Sequence, residues 1–117
     1  MDIRNSVSQM DAMVSQGAIV DAVKEYFDNH ASTSDYGDVH TSEKVQMIEK
    51  MEAFTSAIAE VKTIEHHGTL VDKQTSTSEF TFNFIMKDGS EILWHEIIKR
   101  TWNTDAKVLH EEYFKAN

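Results

Sequence analysis

The chain has 117 residues, 40% of them hydrophobic and 26% charged, which fits one packed domain and excludes both a two-domain protein and a disordered chain. Eleven basic against twenty acidic side chains give a formal net charge of −9, so the general attraction to nucleic acid and to anionic membrane surfaces is missing. The absence of cysteine excludes disulfides, thiolate metal sites and cysteine nucleophiles.

Met1 to Asn5 carries no basic segment followed by an apolar run, and no stretch approaches the roughly 20 apolar residues of a membrane span, so a cytoplasmic protein is expected. Ile3, Val7, Met10 and Val14 recur at intervals of four, three and four, which predicts a helix stopping near Gly17. Ala18, Ile19, Ala22, Val23, Tyr26 and Phe27 form the apolar face of a second helix, ended by Asn29 and His30. Residues 31 to 42 are small and polar and read as a loop, with room for one short strand. Thr41 or Ser42 then caps a third helix with Val45, Ile48, Met51 and Phe54 or Thr55 on its buried side.

From Glu60 onward the period changes to two. Segments 60–72, 75–87, 90–103 and 107–114 are rich in Thr, Val, Ile and aromatics and read as four antiparallel strands. Asp88-Gly89 is the strongest turn signal, with Lys73-Gln74 and Asp105-Ala106 as the other two turns. Three N-terminal helices followed by four strands predict a segregated α+β domain over residues 1–117, with no parallel pairing.

Counting outward from these turns assigns side chains to faces. One face then carries Glu79, Thr81, Asn83, Trp94, Glu96, Ile98, Arg100, Trp102, Leu109, Glu111 and Tyr113, joined by Ile64, His66 and Leu70. Arg100 falls opposite Glu111 and Ile98 opposite Tyr113, while His66, Thr81 and Glu96 align across three strands. The other face carries Phe80, Phe82, Phe84 and Met86 with Leu93, His95, Ile97, Lys99, Val108, His110, Glu112 and Phe114. Both faces hold large apolar groups and three short helices cover only one, so the second is expected to meet another subunit in a homodimer.

The order of elements and the segment Trp102-Asn103-Thr104-Asp105-Ala106-Lys107-Val108-Leu109-His110-Glu111-Glu112-Tyr113-Phe114 resemble the closing hairpin of SnoaL-like proteins in the nuclear transport factor 2-like superfamily. Those proteins often finish with an aromatic strand, a turn of the Asp-Gly-Lys-Ile type and a Glu shortly before aromatics; here Ala106 replaces the Gly. Gly89-Ser90-Glu91-Ile92-Leu93-Trp94-His95-Glu96 is similar to the preceding strand, where some members place a Glu at the position of Glu96. The resemblance spans nearly the whole chain. It implies a cone-shaped fold in which a curved sheet wraps helices around a central cavity, and relatives that include isomerases, cyclases, dehydratases, epoxide hydrolases and non-catalytic modules. The base and oxyanion donors of ketosteroid isomerases do not align onto this chain residue by residue, so that set is not carried over.

Glu96, flanked by Trp94 and Ile98 on a covered face, is the first candidate for acid–base chemistry, because desolvation raises a carboxyl toward the range useful for proton transfer. The alternative is that it pairs with His66 or Arg100 or sits at the sheet margin. His66 is either a second acid or base or a structural histidine. Arg100 and Glu111 form either a cross-strand ion pair or a clamp for a carboxylate ligand. Trp94, Trp102 and Tyr113 either line a cavity or pack a core, Asn83 adds a polar contact, and Asp35, Tyr36, Asp38 and His40 could border the mouth.

No cofactor or metal is expected. His66 and His67 point to opposite faces of a strand, and His95 with His110 lacks a third ligand. No nucleophile elbow or phosphate-cradling glycine loop occurs. The function expected is binding of a small apolar organic molecule, with cofactor-independent isomerisation, cyclisation or related proton transfer; the alternative is a non-catalytic ligand-binding or dimeric assembly module.

Overall fold

The structure is a computed structural model that describes residues 2–116. Helix α1 (Arg4–Ser15) buries Val7, Met10, Asp11 and Val14 and ends where Gly17 takes a φ of +83°. Helix α2 (Ile19–Tyr26) buries Ala22, Val23 and Tyr26 and passes directly into strand β1 (Phe27–Asp35). Strand β2 (Asp38–Thr41) precedes α3 (Lys44–Ser56), whose N-cap is Glu43 and not Thr41 or Ser42: Thr41 Oγ1 is engaged by Thr33, and the Gln46 side chain accepts from the backbone N–H groups of Ser42 and Glu43, at 2.8 and 3.2 Å. Then come β3 (Ile58–Asp72), β4 (Thr75–Met86), β5 (Glu91–Trp102) and β6 (Val108–Lys115).

These strands make one six-stranded sheet in the order β2-β1-β6-β5-β4-β3, with the helices against its inner face. The α+β class holds, but three expectations about it do not. There are six strands rather than four, since the polar segment expected as a loop forms the β1–β2 hairpin. Consequently α3 follows that hairpin instead of completing an N-terminal trio. The sheet is also mixed, because β1 runs parallel to β6. β1 lacks apolar alternation because hydrogen bonds satisfy its polar side chains: Thr33 Oγ1 meets Thr41 Oγ1 at 2.6 Å, and Ser32 Oγ meets His110 Nδ1 at 2.6 Å.

Register decides which face each strand presents. The Asp88-Gly89 turn is a three-residue loop over 87–89 with Gly89 at φ +90°, and Ile85 opposes Glu91, not Ile92. That single-residue difference sends every β4 side chain to the face opposite the one expected. Phe80 therefore opposes Glu96, Phe82 opposes Trp94 and Phe84 opposes Ile92, all toward the helices. Asn83, Thr81 and Glu79 pair with Leu93, His95 and Ile97 on the outer face.

The last hairpin differs by one residue in the same sense at its turn, where Trp102 opposes Val108 and Ala106 takes φ +58°. A bulge between Thr101 and Trp102 cancels the difference, so Arg100 opposes Glu111, Ile98 opposes Tyr113 and Lys99 opposes Glu112 as counted. The same bulge brings Val108 inward, into the core, and leaves Leu109 exposed. Three register shifts along β3 bend it around the helices and place Ile64, His66 and Thr69 beside the inward-facing β4 residues Phe82, Phe80 and Ser78, while Leu70 is 78% exposed.

Phe80 and Leu70 separate the two registers in solution. Phe80→Ala should cost about 3–5 kcal/mol in urea unfolding, as for a core aromatic, while Leu70→Ala should cost less than about 0.5 kcal/mol. The reverse order would restore the other register.

Candidate functional site

Between the helices and the inner sheet face lies a cavity of about 310 Å³. α1 contributes Met10 and Val14, α3 contributes Met51 and Phe54, and β4 and β5 contribute Phe82 and Ile98. Its walls are thus mainly apolar. The Phe54 ring stacks on Trp94 with centroids 5.4 Å apart and meets Phe84 edge-on at 5.7 Å. Asp35, Tyr36, Lys50, Glu96, Arg100, Glu111 and Tyr113 are the polar members of the lining.

Arg100 organises the inner end. It is 1% exposed, and its Nη1 donates to Asp11 Oδ1 and its Nε to Glu111 Oε2, each at 2.7 Å. The second Asp11 oxygen accepts from Thr69 Oγ1 at 2.7 Å and Ser78 Oγ at 2.8 Å. Tyr113 donates its phenol proton to the other Glu111 oxygen. Burial, with the Glu111 carboxylate beside it, pushes that phenol well above its ordinary range, so Tyr113 stays protonated. Arg100 and Glu111 therefore form the cross-strand ion pair, and both guanidinium edges are already engaged by acids.

Glu96 has a different environment. Tyr36, on the β1–β2 turn with φ +54°, donates its hydroxyl to Glu96 Oε2 at 3.1 Å. Burial raises the Glu96 carboxyl above its usual value; the Tyr36 hydrogen bond pulls it back down, and the Asp35 and Glu111 charges add to the rise. Asp35 is held by Lys50 at 3.2 Å and lies 3.6 Å from His40. Among the described residues no basic group comes within salt-bridge distance of Glu96.

Of the residues expected at a site, Glu96, Trp94, Ile98, Arg100, Glu111 and Tyr113 line the cavity together. Three do not. His66 faces inward but stacks on Phe80 at 4.8 Å, with Nε2 2.6 Å from Thr69 Oγ1 and 3.6 Å from Asp11, so it serves the Arg100 network from behind. Trp102 is packed against Tyr26 and donates Nε1–H to Ser76 at 2.9 Å, which makes it core. Asn83 is turned away by the β4 register. Asp35 and Tyr36 do border the cavity, and the Asp38 side chain lies outside the described residues. On the outer face His95 meets Glu79 at 2.5 Å and His67 edge-on at 5.3 Å, while His110 turns to Ser32 and Ser34.

Sequence reasoning missed Asp11 and Lys50. Asp11 had a signal, since it sits four residues after Val7 and three before Val14, on the buried stripe of α1, where an acid needs a buried partner. Lys50 had none, because its role arises only where α3 crosses β1.

Two measurements test this electrostatic arrangement. Arg100→Met should cost about 3–5 kcal/mol in chemical denaturation, since it leaves Asp11 and Glu111 buried without their cation. Glu96 binds protons more readily folded than unfolded, so its contribution to stability falls as pH rises through and above its unfolded value. Glu96→Gln should accordingly melt higher than wild type at pH 7, with the gap closing toward pH 4.

No family model matches the sequence, and no curated protein matches it. Solved structures do match. A protein of Mesorhizobium loti assigned as a SnoaL-like polyketide cyclase superposes with a TM-score of 0.83 at 18% identity, covering 97% of this chain and 99% of that one. An uncharacterised cystatin-fold protein of Novosphingobium aromaticivorans gives 0.82 at 16% identity, with 98% and 99% covered. TerC, co-crystallised with polyporic acid, gives 0.75 at 8% identity, with 97% and 91% covered. Along its whole described length, the chain has the nuclear transport factor 2-like fold shared by SnoaL-like proteins.

Proposed function

We propose that this domain binds a small, largely apolar organic molecule in the central cavity, and that Glu96 carries out cofactor-independent proton transfer on it. The observation that carries the reading is a desolvated carboxyl without a basic partner among the described residues, at the wall of an apolar cavity whose other acids are paired. In isomerisation or cyclisation Glu96 takes a proton from carbon beside a carbonyl, and the carbonyl oxygen gains negative charge. Tyr113, held protonated in the lining, supplies the hydrogen bond to that oxygen by turning from Glu111. Phe54 and Ile98 give the reacting atoms an apolar wall, with Trp94 stacked on Phe54 and partly exposed. Arg100 and Glu111 serve as frame, since Asp11 and Glu111 already neutralise the guanidinium through Nη1 and Nε.

The binding of polyporic acid by TerC, a protein of the same fold, supports the small-molecule reading. We further propose that the outer sheet face closes a homodimer. Leu93 is 68% exposed there, and Leu109 and Phe114 are exposed on the same sheet. No helix among the described residues is long and apolar enough to cross a membrane.

A panel of steroid-like, aromatic and fatty-acid compounds, screened by thermal shift, should yield a ligand that raises the melting temperature of wild type and not of Ile98→Trp, which fills the cavity. On any substrate so found, Glu96→Gln should lose about 10²–10⁴-fold in kcat. Unchanged turnover would remove Glu96 from the chemistry, and binding without conversion would favour the non-catalytic module. For the assembly, light scattering at micromolar concentration should give twice the chain mass, falling to one chain mass for Leu93→Glu.

A further inference from the structure

The cavity wall contains an unbalanced charge. Four carboxyl groups, from Asp11, Asp35, Glu96 and Glu111, stand in or directly behind the lining, against two permanent cations. Both cations are committed: Arg100 bridges Asp11 and Glu111 at 2.7 Å each, and Lys50 holds Asp35 at 3.2 Å. The two histidines of the region stand 3.6 Å from acids that already have a partner, His66 from Asp11 and His40 from Asp35. Lys115 is the cross-strand neighbour of Glu96 in β6, yet it is exposed and reaches no carboxylate of the described residues within 4 Å. What Glu96 keeps in direct contact is one neutral hydrogen bond, from Tyr36 at 3.1 Å, while the Lys50 charge acts on it from beyond salt-bridge distance.

A carboxylate taken partly out of water gains most from a counter-ion. The groups around it fit an organic one. Trp94, Phe54 and Tyr36 put aromatic rings in the same lining as Glu96, and the apolar walls accept the body of such an ion. A carboxylate ligand would meet the reverse field: Glu96, Asp35 and Glu111 repel it, and Arg100 and Lys50 are each already paired with acids.

We infer that the cavity selects organic cations, a protonated amine carried on a flat apolar body, with the ammonium on Glu96 and the body among Trp94, Phe54 and Ile98. This rests on the cavity being the binding site, whose ligand class it names, and not on the proton-transfer step, since a Glu96 engaged by an ammonium is not free to take a proton from carbon. The ammonium N–H donates to the Glu96 oxygen that Tyr36 leaves free, so Tyr36 keeps its place and sets the orientation of the carboxyl.

Three probes with one body test the assignment: 2-(2-naphthyl)ethylamine, 2-(2-naphthyl)ethanol and 2-naphthylacetate, titrated calorimetrically into the intact protein at pH 7.5. The amine should bind about 10- to 100-fold more tightly than the alcohol, and the acetate more weakly than either. Glu96→Gln, checked for folding by its melting curve, should bring the amine and alcohol to equal affinity. Lowering the pH should shrink the amine's advantage as Glu96 takes up a proton, with Asp35, Lys50, Arg100, Glu111, Tyr36, Tyr113 and Lys115 as the other charged or titratable groups around it. An alcohol that binds as well as the amine, or an advantage that survives in Glu96→Gln, would overturn the charge assignment while leaving the cavity as a binding site. Failure of all three to bind would overturn both.

Discussion

Arg100 is the group on which the arrangement depends. A guanidinium at 1% exposure is tolerated only because Asp11 from α1 and Glu111 from β6 each meet it at 2.7 Å, with Thr69 and Ser78 closing the remaining lone pairs of Asp11. The pairing joins four strands and one helix at a single point. It therefore sets how far α1 stands from the sheet, and the space that α1 does not fill is the cavity. Because every oxygen around Arg100 has a donor, the network gives position more than net stability.

The same network defines Glu96 by contrast. Two strand positions separate Ile98 and Arg100 in turn from Glu96 along one face of β5, so the inward row passes from a wholly compensated charge to an uncompensated one. Burial alone would push the Glu96 carboxyl toward its neutral form, and the Tyr36 hydrogen bond moderates that push. Tyr36 holds a left-handed φ of +54°, which bulky residues avoid, on a turn tied to β6 by the Tyr36 N–H to the Tyr113 carbonyl at 3.0 Å. Strain, an unpaired acid and an apolar cavity coincide at one place, which is the pattern expected where a protein handles a ligand and not where it only packs.

Sheet curvature brings these groups into a common space. Three shifts in β3, one in β6 and one in β1 bend the strands toward the helices, so residues from β1, β5 and β6 reach the same cavity. The outer face is left with Leu93, Ile97 and Phe114 among charged and histidine side chains, and a second copy is the occupant proposed for it.

Much of the fold was legible in local pattern. The stripes of α1 and α2 and the period-two segments of β3 to β6 follow from residue spacing, whereas α3 turns Val45 outward and buries Met47 instead, with Ile48, Met51 and Phe54 half-buried beside it. The pairs Arg100–Glu111 and Ile98–Tyr113 followed from counting, since a bulge restored the register that the turn had shifted. β1 and β2 were not legible, because Ser32 and Ser34 are held by His110, more than 70 positions away, and Thr33 by Thr41 across the hairpin, rather than by apolar alternation. Likewise Glu96 was recognisable as an acid between apolar neighbours, but its hydrogen bond to Tyr36 spans 60 positions and leaves no periodic trace.

The sequence by itself determined which segments are amphipathic helices and strands, the net negative charge, and the placing of an acid between Trp94 and Ile98. Only tertiary structure decided which way β4 faces, that β1 joins β6 in parallel, and that Asp11 joins Glu111 on Arg100. The physical reason is that a residue's intrinsic preferences act over a few neighbours, whereas a three-residue loop, a bulge or a buried ion pair fixes relations between segments whose separation along the chain carries no energy of its own.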